Sequence, residues 1–419
     1  MKLSVLGVVG LSLCSNILLA APQEIVLWRH MASDVEISRS LAAIQRFNDS
    51  QNKWNVVADL IPEASYTLSI RAAAQAELLP CIIEIDQPLV PNFAWSGYLH
   101  PLDGLLSDDV LASLNATGKG SYDGLVYSVG GLEVALALFT TKSLLEKIGV
   151  RYPTLDKPWD KAEFMAVLDA VKATGEYQYP LDMRAQDVTE WIPYAWAPWM
   201  MSWGADLIDR SDYITVEGVL NSPAAIDFGL WIQDLVKDKY MGINPQSKNG
   251  FIDGDIAIQY GGSWALSAYY ERFQEDLAVL PVPDFGHGAT IGGGSWHWAM
   301  TESCRHPEAA KDLITFLMTA EEQAAMSRVI GIFPTNINAL ELTANYSEQG
   351  KWRMLFDFSK QFSVLRPETP AYAEISSSYK NAMSSILNGM PPDLALDIAV
   401  ENIQAAFERH NNYGARLNE

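Results

Sequence analysis

Ser377-Ser378-Tyr379-Lys380 has the S-x-x-K spacing of a serine acylase, and Asp253 with Asp255 is a close carboxylate pair of the type that cleaves glycosidic bonds. Neither carries its chemistry further. No K-T-G or S-D-N accompanies the serine, and its surroundings read as a helical surface. Two carboxylates two residues apart diverge on a helix, and on a strand they crowd one face too closely to flank a bond. The six histidines, at 30, 100, 287, 297, 306 and 410, show no H-E-x-x-H or paired spacing, so neither a metal site nor a cofactor is expected.

Binding chemistry is better supplied. Residues 251–298 join a short helical pattern, a Gly-Gly-Ser-Trp turn, a buried strand and a second glycine cluster. Gly261, Gly262, Gly292, Gly293 and Gly294 permit close approaches, while Trp264, Trp296 and Trp298 offer flat apolar faces with one donor each. Sugars present hydroxyl edges and apolar C–H faces, and this pairing suits them. Trp296 and Trp298, two apart on an extended segment, are expected to face one side. The run Glu190-Trp191-Ile192-Pro193-Tyr194-Ala195-Trp196 is aromatic enough for Trp191, Tyr194 or Trp196 to wall a cleft, with core packing as the alternative. No Lys or Arg lies near the glycines, which argues against a phosphate cradle.

The elements that must position these residues are legible from periodicity. Ile25 to Trp28, Trp54 to Leu60 and Cys81 to Ile85 read as strands. Ile37, Leu41, Ile44 and Phe47, then the Ala-rich stretch from Tyr66 to Leu79, read as helices between them. Such alternation predicts an α/β fold with a mostly parallel sheet and ligands beyond the carboxyl ends of its strands, where His30, Glu36 and Asp86 fall. Asp86 suits a hydroxyl acceptor or a helix N-cap. Ser222-Pro223 opens one later helix and His306-Pro307 another, whose Ala310, Leu313, Ile314 and Leu317 form a core stripe. Gly130-Gly131 and residues 292–294 are the natural crossings between two bodies.

The chain has 419 residues, enough for two or three domain-sized cores. Lys2, the interrupted apolar run from Leu3 to Leu19 and Ala20-Ala21 read as a cleavable secretory signal over residues 1–20. Without Lys2, 28 basic residues face 51 acidic ones, a net −23 that argues against nucleic acid or anionic lipid as a partner. After cleavage Cys81 and Cys304 remain, and in an oxidising compartment they either pair or stay buried as small apolar side chains.

Read together, EIVLWRH with IQRFNDS, LLPCIIEIDQP, WSGYLHPLDGLL, FIDGDIAIQYGGSW, LAVLPVP, GGGSWHWAM, HPEAAKDLITFLMTAEEQ and GIFPTN resemble, in order, the extracellular solute-binding proteins of bacterial ABC sugar importers, the maltose-binding-protein-like family. One departure is Cys81, where that family usually has Asp. The resemblance implies a periplasmic binding protein type II-like fold of two α/β lobes with a hinge and an interlobe ligand cleft. Lobe I would comprise 22–130 plus 291–334, and lobe II, richer in helix, 131–290 plus 335–419. It implies that Trp264 stacks on the ligand, that Glu133 in a crossing strand contacts it, and that Arg366 and Tyr372 in VLRPETPAYAEI line the cleft. It places Cys304 near Cys81, hence a disulfide. The expected function is a monomeric periplasmic receptor, not an enzyme, for a carbohydrate of disaccharide size or larger, delivered to the permease subunits of an inner-membrane ABC importer. A receptor for a polyol or glycerol phosphate diester, and a secreted glycan-acting enzyme, are the alternatives.

Overall fold

The computed structural model describes residues 21–187, 189–244, 247, 249–328 and 331–414; the signal reading over 1–20 lies outside them. Two sheets organise the chain. In the first, strand Gln23–Met31 runs parallel to Trp54–Pro62 on one side and to Ile82–Asp86 on the other. Strand Trp296–Met300 then enters antiparallel between Ile82–Asp86 and Leu125–Val129, and Lys119–Tyr122 closes the edge. The second sheet has the order Leu277–Leu280, Leu136–Thr141, Ile256–Gly262, Tyr179–Asp182 and is mixed, since Leu136–Thr141 is antiparallel to both neighbours.

Local chemistry accounts for the helices. Ser33 caps Asp34–Ser50 by accepting from the Glu36 N–H, and Ser222 caps Pro223–Lys237 by accepting from Ala225 N–H, with Pro223 in the first helical position where no donor is needed. In helix Pro307–Leu317 the stripe of Ala310, Leu313, Ile314 and Leu317 is fully packed under the first sheet.

The chain crosses between the sheets through short paired segments. Leu132–Glu133 pairs antiparallel with Phe333–Pro334, and Ile291–Gly293 lies parallel to Ser363–Leu365. Ile291 and Phe333 pack into the core of the second sheet, whereas Trp298 and Met300 belong to that of the first. The crossing at Gly130 needs glycine, because a Cβ there would stand 2.4 Å from the His297 ring.

The abundance of tryptophan has a packing explanation that differs from the ligand-platform expectation. Trp159, Trp196 and Trp199 are completely buried, and Trp199, Trp203 and Trp231 stack round Phe285 in the second core.

Candidate functional site

At the carboxyl ends of the first sheet, His30 and Glu84 meet: the imidazole Nδ1 is 2.7 Å from Glu84 Oε2, and Arg29 Nε is 3.4 Å from the same oxygen. Burial pushes the His30 imidazole down, but the adjoining Glu84 carboxylate more than offsets this and leaves it raised. The Trp296 indole stacks on His30, with ring centres 3.8 Å apart and planes at 16°, and Tyr66 meets it edge-on. Beside them, Glu36 is held above the usual carboxylate range by burial, and Arg39 keeps two buried guanidinium nitrogens without partners.

The two sheets are tied by an ion-pair chain. Strand register sets Trp296 opposite Asp86, and the Asp86 carboxylate takes both terminal nitrogens of Arg366 at 2.8 and 2.7 Å. Asp86 thus accepts from a guanidinium, and although it precedes the short helix Gln87–Leu89 its side chain makes no capping bond there. Arg366 also lies 3.7 Å from Glu190, which accepts from the Tyr372 hydroxyl and, at 2.7 Å, from Ser376. The guanidinium stands over the Tyr194 ring at 4.9 Å, and Tyr194 packs beside Trp264 with centres 6.4 Å apart. Two half-buried tryptophans therefore flank this buried chain: Trp264 against Tyr194, and Trp296, stacked on His30, at the strand position opposite Asp86.

Glycine makes these approaches possible. A Cβ at Gly262 would fall within about 2 Å of the Trp264 ring, and one at Gly292 would lie 2.1 Å from the Tyr194 carbonyl oxygen. Gly294 adopts φ +82°, and a Cβ there would press on Gln87 Oε1 at 3.0 Å. Around this core, Gln87 Oε1, Glu133 Oε2, the Tyr194 hydroxyl and Arg366 Nε are buried without hydrogen-bond partners. Polar atoms so placed cost stability unless something satisfies them.

Burial shifts Glu133 and His297 in opposite directions. Burial pushes the Glu133 carboxyl up to about 7, only partly offset by the Val134 N–H bond to Oε1. It forms no ion pair among the described residues. Burial likewise pushes the His297 imidazole down to about 4. The ring is neutral, with Nε2–H donating to the Thr117 carbonyl and Nδ1 accepting from the Ser128 hydroxyl. As pH rises from 4.5 towards 7, the unfolded chain releases the Glu133 proton while the folded chain keeps it, so this group's contribution is lost. His297 acts in the opposite sense, giving its full contribution above pH 6.5 and losing it as pH falls to about 4. Chemical unfolding across this range should therefore show Glu133→Gln gaining on the unsubstituted protein by about 3 kcal/mol between pH 4.5 and 7. A difference that stays constant with pH would mean that Glu133 ionises normally in the fold.

Several expected residues are taken up by packing or support roles. Trp298 is in the first core while Trp296 packs against the separate Tyr66 cluster, so the two do not share a side. Trp296 is the first residue of its strand, two after left-handed Gly294, where the alternation of the ladder does not yet bind it. Trp196 is wholly buried, and its Nε1 and that of Trp191 both donate to the Met183 carbonyl. Tyr372 is buried and supports Glu190. The absence of a side chain at Gly293 relieves a 2.9 Å approach to Ser363, a strand-packing role. Glu84, Gln87 and Glu190 were not legible as site residues. A charge inside the apolar run Cys81 to Ile85 was the one available signal for Glu84, and nothing in spacing marks the other two. Cys81 and Cys304, brought together where Ile82 pairs with Met300, are joined by a disulfide.

Residues 42–352 match the family model described as bacterial extracellular solute-binding protein. Binding proteins of Brucella abortus (strain 2308) and Brucella suis biovar 1 (strain 1330) are each 22% identical over 330 residues, covering 76% of this chain and 77% of theirs. Among solved structures, the maltose/maltodextrin-binding domain MalE of Bdellovibrio bacteriovorus, bound to maltotriose, superposes with a TM-score of 0.77 at 19% identity, over 92% of this chain and all of that one. The GacH receptor of Streptomyces glaucescens, solved unliganded and with acarbose, gives 0.75 at 22% identity, over 93% of this chain and 98% of that one. With three quarters of its length matched to the family model, and the fold shared throughout, the chain belongs to the bacterial extracellular solute-binding proteins, a family that binds solutes and catalyses nothing.

Proposed function

We propose that this protein is the receptor of a bacterial ABC importer for a carbohydrate of disaccharide size or larger, working in the periplasm after removal of residues 1–20. Its lobes would be 22–130 with 291–334 and 131–290 with 335–419, closing as a monomer around the ligand before docking on the permease. The observation that carries this is the pair of half-buried indoles, Trp296 and Trp264, flanking the Asp86–Arg366 chain, among four buried polar atoms without partners. Rings and hydroxyls complement sugar faces and edges. Ligand touching both lobes shifts a hinge equilibrium by its differential affinity for the closed state. The sugar-bound structural relatives, maltotriose in one and α-D-tagatose in another, support the class. A phosphodiester is disfavoured, because Asp86 and Glu190 already neutralise Arg366.

Calorimetric titration of the mature protein against mono-, di- and oligosaccharides, polyols and glycerophosphodiesters tests this. Saturable binding of a carbohydrate recovered intact is expected. Trp264→Ala should weaken it about 30-fold, the ~2 kcal/mol of an aromatic hot spot. Tight binding of a polyol or phosphodiester with no carbohydrate bound would overturn the reading, and an unchanged Trp264→Ala affinity would remove that indole from the site.

A further inference from the structure

Arg366 is buried and Arg39 half-buried, but only the first has a counter-charge. Arg366 holds Asp86 with both terminal nitrogens; burial pulls its guanidinium down, and Asp86 more than offsets this and leaves it raised. Arg39 forms no ion pair among the described residues, and its Nε and Nη1 are buried with no hydrogen-bond partner. Burial outweighs every carboxylate within its reach and holds the guanidinium below its usual value, the mark of a cation short of opposite charge. A buried charge left in that condition costs stability.

The carboxylates near Arg39 are committed elsewhere. Glu84 Oε2 takes the His30 ring at 2.7 Å, the His30 N–H at 3.3 Å and Arg29 Nε at 3.4 Å. Arg29 Nη1 donates, at 3.4 Å, to the Glu36 carbonyl and not to its carboxylate. Glu36 acts on Arg39 electrostatically without an ion pair, and burial holds its carboxyl above the usual range. Two guanidiniums and a raised imidazole thus share two carboxylates, one of them biased towards its neutral form. In a strongly acidic chain this is a local surplus of positive charge. Arg39 also comes within electrostatic reach of Tyr346, a residue of the second core, so the surplus lies where the two cores approach. His30, which acts on Glu36, carries the half-buried Trp296 indole stacked on its ring. An aromatic platform and an unpaired cation therefore belong to one cluster.

We propose that this cluster reads a carboxylate on the carbohydrate, taken by the Arg39 guanidinium while a sugar ring lies against Trp296, so that the ligand is a uronate-bearing sugar. The proposal rests on the carbohydrate reading above and narrows its substrate class. A planar guanidinium presents paired N–H donors that match a carboxylate. A small surplus of positive charge suits that monoanion, whereas Glu36 and Glu84 would repel the second charge of a phosphate monoester.

Calorimetric titration of the mature protein, Arg39→Gln and Arg39→Lys tests this with maltose, cellobiose and mannobiose, each beside counterparts carrying a carboxylate at C6 of one ring. In the series that binds, the acidic member should bind the unsubstituted protein at least about ten-fold tighter than the neutral one, the lower end of what a charge-assisted hydrogen bond supplies. That preference should fall close to one in Arg39→Gln. Arg39→Lys, which keeps the charge but not the fork, should retain part of it. A neutral member bound as tightly as its acidic counterpart, or a preference that survives in Arg39→Gln, would overturn the proposal while leaving the receptor reading intact. Binding confined to other, neutral sugars would do the same. The comparison within each pair needs no substitution, so it stands even should Arg39→Gln lose its fold. If no carbohydrate binds, neutral or acidic, the carbohydrate reading itself fails and the uronate with it.

Discussion

Replacing Arg366 with alanine is expected to lower the free energy of unfolding by about 3–5 kcal/mol, read from thermal and denaturant unfolding of the mature protein. The guanidinium is buried between Asp86 of the first sheet and Glu190, with both terminal nitrogens on Asp86 and Glu190 at 3.7 Å. Its removal strands the buried Asp86 carboxylate beside the partly exposed Glu190. Glu190 is already held above the usual carboxylate range, chiefly by burial, with Arg366 as the main opposing influence. An uncompensated buried charge costs far more than a well-packed apolar replacement of the whole pair. The Asp86→Leu, Arg366→Met double variant should therefore recover much of the loss. A single-variant loss below about 1 kcal/mol would mean that the pair is solvated and does not bind the sheets together.

The second large effect concerns Cys81 and Cys304, which close a loop across 223 positions of sequence. Chain entropy for a loop of that length gives about 5 kcal/mol of stabilisation, so Cys81→Ser with Cys304→Ser should cost about 3–5 kcal/mol of unfolding free energy. The bond fastens the strand pair Ile82–Asp86 and Trp296–Met300 at the end opposite Asp86 and Trp296. The same register that carries the site at one end thus carries the crosslink at the other. Thiol titration of the denatured, unreduced protein should find none free, and reductant should reproduce the loss seen in the double variant. Two titratable thiols per chain would refute the bond directly.

Much of the fold was legible because its signals are local. A continuous apolar run such as Cys81 to Ile85 has few alternatives to a buried strand, and Ser222-Pro223 marks a helix start whatever lies around it. The meeting of Cys304 with Cys81 followed from resemblance across many ordered segments, and the disulfide and the pairing of Ile82 with Met300 agree. The mixed character of the second sheet was not legible. The first four residues of Leu136–Thr141 are all apolar, and such a run specifies burial on both faces without specifying direction.

The site was legible as residue types more than as partners. Trp264, Trp296, Asp86, Glu133, Tyr194 and Arg366 all gather around the Asp86–Arg366 pair, whereas Trp196 and Trp298, of the same type, are core. A tryptophan looks alike in sequence whether its face meets a neighbour or open space, because that depends on what the fold brings against it. The sequence by itself determined the elements, their α/β alternation, the acidic charge that excludes polyanions, and a surplus of glycine and aromatic residues near 251–298. Tertiary structure alone decided that Arg366 would meet Asp86 from 280 residues away, that Glu133 would be buried without an ion pair, and which indoles would keep a free face. The physical reason is range: periodicity, caps and turns act over a few residues, while burial, charge pairing and cavity formation depend on contacts between segments that only the folded chain brings together.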